Sequence, residues 1–142
     1  MIVDPQRRQD FESQWATIRK FCRSSHRQFM AGGVYINETP PEEFFNLPLV
    51  LAYALLDEVL AELIGQGVFV CSPRGKAPAL LGAKMSASKG ALPWIDYAAV
   101  EAGKEARNEL AHQGKLLPRQ ECFRLIDLIG AELVAWSVLA RN

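Results

Sequence analysis

Apolar residues recur at helical spacing along most of the chain, and glycine and proline break the pattern into segments. Asp4-Pro5 has the form of an N-cap followed by proline at the first helical position. Phe11, Trp15, Ile18, Cys22 and Phe29 then fall near one stripe, with arginine and glutamine elsewhere. This predicts a first helix from about Pro5 to Met30, ended by Gly32-Gly33. Thr39 is placed to cap a new start at Pro40-Pro41, and Asn46 to recap it ahead of Pro48. The second helix runs on to about Ile64 and ends at Gly65 and Gly67. Its stretch from Leu47 to Leu60 is apolar on most faces, which predicts a central position.

The stretch Val68 to Pro93 is less regular. Val68-Phe69-Val70 fits either a short strand or a packed loop, and Ser72, Pro73, Gly75 and Pro78 mark a turn-rich connection. Ala77 to Ser88 fits a short helix before Gly90. A further helix starts near Pro93, where Ile95, Ala99, Ala102, Ala106 and Leu110 form a stripe of mostly small residues that lets another helix come close. Gly114 is placed as its C′ residue after His112-Gln113. Pro118 opens a last helix to about Ala140. It is apolar over more than half its circumference, so it calls for two neighbours, one of which a second subunit can supply. The expectation is an all-α, antiparallel bundle of four to five main helices in a single domain, 1–142, with at most a trace of strand.

Composition narrows the class. With 49% hydrophobic and 23% charged residues, the sequence reads as globular rather than disordered. The longest stretch free of polar side chains, Leu47 to Leu56, is too short to span a bilayer, and the first residues lack the basic-then-apolar form of a signal peptide. Cys22, Cys71 and Cys122 are odd in number and far apart, with no CxxC pair. A disulfide framework or zinc site is therefore not expected, and a reducing cytoplasm is. The net charge is zero but unevenly spread. Residues 28–73 hold six acids and no lysine or arginine, while 74–95 hold Arg74, Lys76, Lys84 and Lys89 and no acid. A basic surface is thus compatible with the total.

Several letter patterns carry no chemistry. Lys84-Met85-Ser86-Ala87-Ser88 matches the KMSAS variant of the class I aminoacyl-tRNA synthetase loop. That loop needs a parallel nucleotide-binding sheet and a His-x-Gly-His partner, and the chain has neither pattern. There is no GxGxxG, GxxxxGK[ST] or HExxH, so no cofactor and no metal are expected. Of the two histidines, His26 lies between Arg23 and Arg27 and reads as a solvated surface residue.

The remaining constellation is Arg107-Asn108-Glu109-Leu110-Ala111-His112. It lies in the penultimate helix, with a polar residue directly after the arginine, a small one before the histidine and a long apolar helix to follow. In this it resembles the HEPN superfamily, whose signature is Arg, a polar residue, then His after four to six intervening positions; here four intervene. The resemblance implies a helical bundle and a metal-independent endoribonuclease of the kind used as toxins or defence effectors. It also implies a homodimer with a composite site. The catalytic candidates are then Arg107, His112 and Asn108, and Lys104, Lys115, Arg119, Lys84 and Lys89 are candidates to hold RNA. A nucleotidyltransferase-type antitoxin is an implied partner. In one branch that partner modifies a tyrosine two positions after the histidine; Gly114 stands there, so that control does not transfer.

The chemistry suits these residues. Histidine titrates near neutrality and serves as base or acid, and arginine presents a fork matched to phosphate oxygens. Five residues along a helix turn the chain about 140° and advance it about 7.5 Å, so Arg107 and His112 do not share a line. A two-fold axis across two motif helices would gather both pairs in one cleft. The competing expectations are a HEPN-like module that binds nucleotide, RNA or protein without cutting, and a structural role. In the latter, Arg107 pairs with Asp96, Glu101 or Glu105 and His112 caps a helix end.

Overall fold

The apolar run that begins at Leu47 becomes the axis of the fold. Helix α2 (Asn46–Gly65) buries Leu49, Ala52, Tyr53, Leu56, Val59, Leu60 and Leu63 among others, and helices pack on several of its sides. The computed structural model describes residues 1–23, 27–38, 40–71 and 80–141. Around α2 lie α1 (Pro5–Arg23), α3 (Leu81–Ser88), α4 (Tyr97–Gln113) and α5 (Arg119–Ala135). A hairpin of β1 (Arg27–Ala31) and β2 (Val34–Glu38) follows α1, and a 3-10 turn, Glu42–Phe45, leads into α2. The all-helical bundle expected from the sequence is what the five helices form, and the hairpin is a small addition to it.

The first helix ends at Arg23, well short of Met30. Gly32 and Gly33 take φ of 59° and 79°, the positive values that a two-residue hairpin turn of type I′ requires at both positions. Ala31 pairs with Val34, Phe29 with Ile36 and Arg27 with Glu38. Phe29, which continues the helical stripe of α1 in sequence, is thus a strand residue. The last helix also ends early, at Ala135, and the chain then turns through Ser137 at φ 58°. Val68 to Val70 form no strand; Phe69 is buried as packed loop. The cap at Thr39, the surface position of His26 and the loop signals from Ser72 to Pro78 lie outside the described residues, as do Arg74, Lys76 and the proposed helix start at Ala77.

α1 runs antiparallel to α2, with Arg7 beside Glu62 and Gln14 beside Glu58. α4 and α5 are antiparallel too, since Ile95 meets Glu132 at one end and Gly103 meets Leu125 further along. The core is continuous from Ile2 and Phe11 through α2 to Leu125, Ile129 and Leu133. α5 finds its neighbours within the chain, chiefly α2 and α4, so the apolar excess that called for a second subunit is largely consumed. All three cysteines are free. Among the described residues, no helix is long and apolar enough to cross a membrane.

Candidate functional site

Helix α4 carries the Arg107–His112 segment and is held in an unusual way. Only Val100 and Gly103 of its 17 residues are fully buried. The stripe of Ile95, Ala99, Ala102, Ala106 and Leu110 is not fully buried at any position: Ala99, Ala106 and Leu110 are half-buried, Ala102 is exposed and Ile95 is 64% exposed. The buried line is instead Val100, Gly103 and the half-buried Arg107, at spacings of three and four residues. Gly103 is required there. A β-carbon would collide with the Tyr53 hydroxyl and lie 2.5 Å from a Leu125 methyl. The Tyr53 hydroxyl donates to the Val100 carbonyl at 2.8 Å, which ties α2 to α4 where the helices are nearest.

With so little apolar burial, the ends of α4 are fixed by polar side chains. The buried polar side chains among the described residues are Asn46, Ser88 and Glu132, and all three serve the flanks of α4. Glu132 accepts from the Ile95 amide at 2.8 Å and the Asp96 amide at 2.8 Å. Ser88 accepts from the Trp94 indole at 2.9 Å while donating to the Met85 carbonyl. Asn46 donates to the Leu117 carbonyl and accepts from the Leu117 amide, each at 2.9 Å. Asp96 caps the helix through the Ala99 amide at 3.2 Å, and Gly114 ends it in the left-handed conformation at φ 68°, where the sequence placed the C′ residue.

Arg107 therefore points inward, over the place where the core stops. Its Nη2 donates to Asn108 Oδ1 at 3.3 Å, and its Nε is buried with no hydrogen-bond partner. No ion pair engages it among the described residues; neither Asp96, Glu101 nor Glu105 is its partner. Leaving a buried donor unmet costs about 1–3 kcal/mol. Burial holds the Tyr53 phenol far above its ordinary range, against the lowering influence of Arg107 and Arg124. Both arginines are thus within electrostatic reach of Tyr53, which stays a neutral donor. Arg124 is tied to Glu121, and that hydrogen bond holds the Glu121 carboxyl below its usual value.

His112 stands in the last turn of α4 on the outward side. It is exposed and has no hydrogen-bond or ion-pair partner among the described residues. Within one chain Arg107 and Asn108 are brought together, and His112 is not joined to them. The other candidates are spread. Lys84 pairs with Asp57 at 2.8 Å and Lys104 with Glu105 at 2.9 Å, Lys104 lying against Gly82 of α3. Lys89 stands 4.2 Å from the Tyr97 ring centroid, Lys115 approaches Glu109 at 3.8 Å, and the Arg119 guanidinium lies 6.0 Å from the Phe45 ring. Among the described residues no three metal-ligating side chains cluster.

Periodicity missed Tyr53, Gly103 and Glu132. The signal available for Glu132 was a lone carboxylate between apolar residues on a helix otherwise destined for the core. No protein-family model matches the chain, and no curated protein or solved structure matches it either.

Proposed function

We propose that the chain is a metal-independent endoribonuclease of the HEPN type that works as a pair of copies. The supporting observation is that, among the described residues, neither Arg107 nor His112 is used up by the fold: Arg107 has no carboxylate partner there, and His112 caps nothing. Two copies meeting along α4 would bring two histidines to one cleft, with the half-buried Arg107 guanidiniums, of which only Nε is sealed without a partner, at its edge. One histidine takes the proton of a ribose 2′-hydroxyl as that oxygen attacks the adjacent phosphorus. Water protonates the 5′-oxygen as its bond to phosphorus breaks, so one His112 and one Arg107 suffice for a site. Arg107 offsets the charge on the phosphorane, and Asn108 holds the guanidinium. Purified protein is expected to cut single-stranded RNA in EDTA, to leave 2′,3′-cyclic phosphate ends, and to spare the matching DNA. Intact RNA under those conditions removes the enzyme reading.

The second reading is a HEPN-like helical module that binds RNA without cutting. It is favoured by the opposed directions of the two side chains in one copy, Arg107 inward and His112 outward. RNA bound but uncut by the wild type, with Arg107→Ala weakening binding more at low salt than at high salt, would select it.

A further inference from the structure

α1 and α5 both lean on α2 and meet each other through side chains, Trp15 on Gly130 and Arg19 on Asp127, and over that seam runs an open groove of about 760 Å³. Trp15 crosses it, its ring seated on Gly130 where a β-carbon would lie 2.5 Å from the indole. Ala16 on one wall and Ala131 on the other keep the trough wide, while the half-buried Trp15 and Val134 give it apolar surface. A groove between two antiparallel helices, walled by small residues, has the shape that receives a third helix.

The charges along the groove say what kind of helix. Its acids are occupied: Asp127 binds Arg19 at 2.7 Å, and Glu12 accepts from the Ala140 amide at 2.8 Å. Two cations are left over. Arg8, Arg23 and Arg141 are the arginines and lysines that make no ion pair, hydrogen bond or ring contact among the described side chains, and Arg23 and Arg141 both line this groove. They sit at opposite ends. Arg141 follows the residue bonded to Glu12, whereas Arg23 lies eleven positions further along α1. Eleven helical residues span about 16 Å. One small anion cannot reach both cations, but a helix of about three turns with acids near each end can.

We infer that the groove between α1 and α5 docks an acidic amphipathic helix of a partner protein, its apolar side against Trp15 and its terminal acids at Arg23 and Arg141. The site is separate from the Arg107–His112 segment and does not depend on the ribonuclease reading.

The test uses a fluorescein-labelled 15-residue helix of leucine, alanine and glutamate, with leucines at helical spacing and glutamates at both ends, titrated with the full chain and read by anisotropy. Saturable binding is expected, weakened at least about tenfold when lysines replace the glutamates or when the leucine spacing is scrambled. Arg23→Glu with Arg141→Glu, both at exposed positions, is expected to cause a similar loss and to flatten the salt dependence. Ala131→Trp, which fills the trough, is expected to block the peptide while circular dichroism stays helical. Absence of binding, or binding indifferent to these substitutions, overturns the inference. So does self-association of the chain that the two charge reversals abolish, since the groove would then belong to a second copy.

Discussion

The carboxamide of Asn46 and the peptide of Leu117 exchange two hydrogen bonds, each 2.9 Å, and so lock the turn after α4 to the start of α2. The pair lies three residues beyond Gly114, which ends α4, and anchors the connection that follows the turn holding His112. The same Asn46 nitrogen also reaches the Glu43 carbonyl at 3.1 Å. A side chain that replaces both partners of a peptide unit cannot be shortened without leaving that unit unmet.

Asn46→Ala is therefore expected to lower stability by about 1–3 kcal/mol, the cost of stranding buried peptide groups. Urea unfolding followed at the helical signal measures it. Hydrogen exchange should quicken at the Leu117 amide before it does in α2. An unchanged urea midpoint would show that the clamp does not hold the turn.

Gly103→Ala is expected to cost about 1–3 kcal/mol, because its methyl meets Tyr53 and Leu125 in a packed contact. Tyr53→Phe alone should cost less, since the Val100 carbonyl it loses also lies within a helix. Combining the two should recover part of the loss, as the phenol oxygen is one of the obstructing atoms. Strictly additive midpoints in a double-mutant cycle would contradict the contact.

Glu132→Ala removes the carboxylate that receives the Ile95 and Asp96 amides, and is expected to cost about 1.5–3 kcal/mol, the range for hydrogen bonds to a charged group. Glu132→Gln keeps the shape and should lie between Ala and wild type. Thermal unfolding gives the order. A glutamine variant as damaging as alanine would mean that the negative charge at the head of α4, rather than the hydrogen bonds, carries the effect.

The parts of this fold legible in sequence were those that rest on apolar periodicity and end signals. α2 and its central place, Gly114 as the end of α4 and Pro118 as the threshold of α5 follow from such signals. The hairpin was written in the sequence as well, as two short runs flanking Gly32-Gly33, but Phe29 at helical distance from Cys22 argued for continuing α1. The inward face of α4 was hidden for another reason. Its line is Val100, Gly103 and Arg107, and neither a glycine chosen for closeness nor an arginine over the core edge registers as apolar. The Arg107–His112 segment was visible as letters, but whether its side chains are occupied depends on carboxylates that approach only in three dimensions.

The inward position of Arg107 yields its own test. Arg107→Met keeps an apolar stem of similar length and removes the buried Nε that lacks a partner. The variant is expected to be at least as stable as wild type in urea while losing its hold on RNA, because a group kept at a cost to the fold serves a ligand. A loss of stability of about 2 kcal/mol or more would make Arg107 a packing residue.

The most direct measurement mixes two inactive variants. Arg107→Met and His112→Ala are each expected to lose on the order of a hundred-fold or more in RNA cleavage in EDTA. Unfolded and refolded together, they form mixed pairs that hold one intact Arg107 and one intact His112 across the two copies. Cleavage by the mixture well above that of either variant alone is the predicted result. A mixture no more active than its parts, beside an active wild type, would contradict a site shared between two chains.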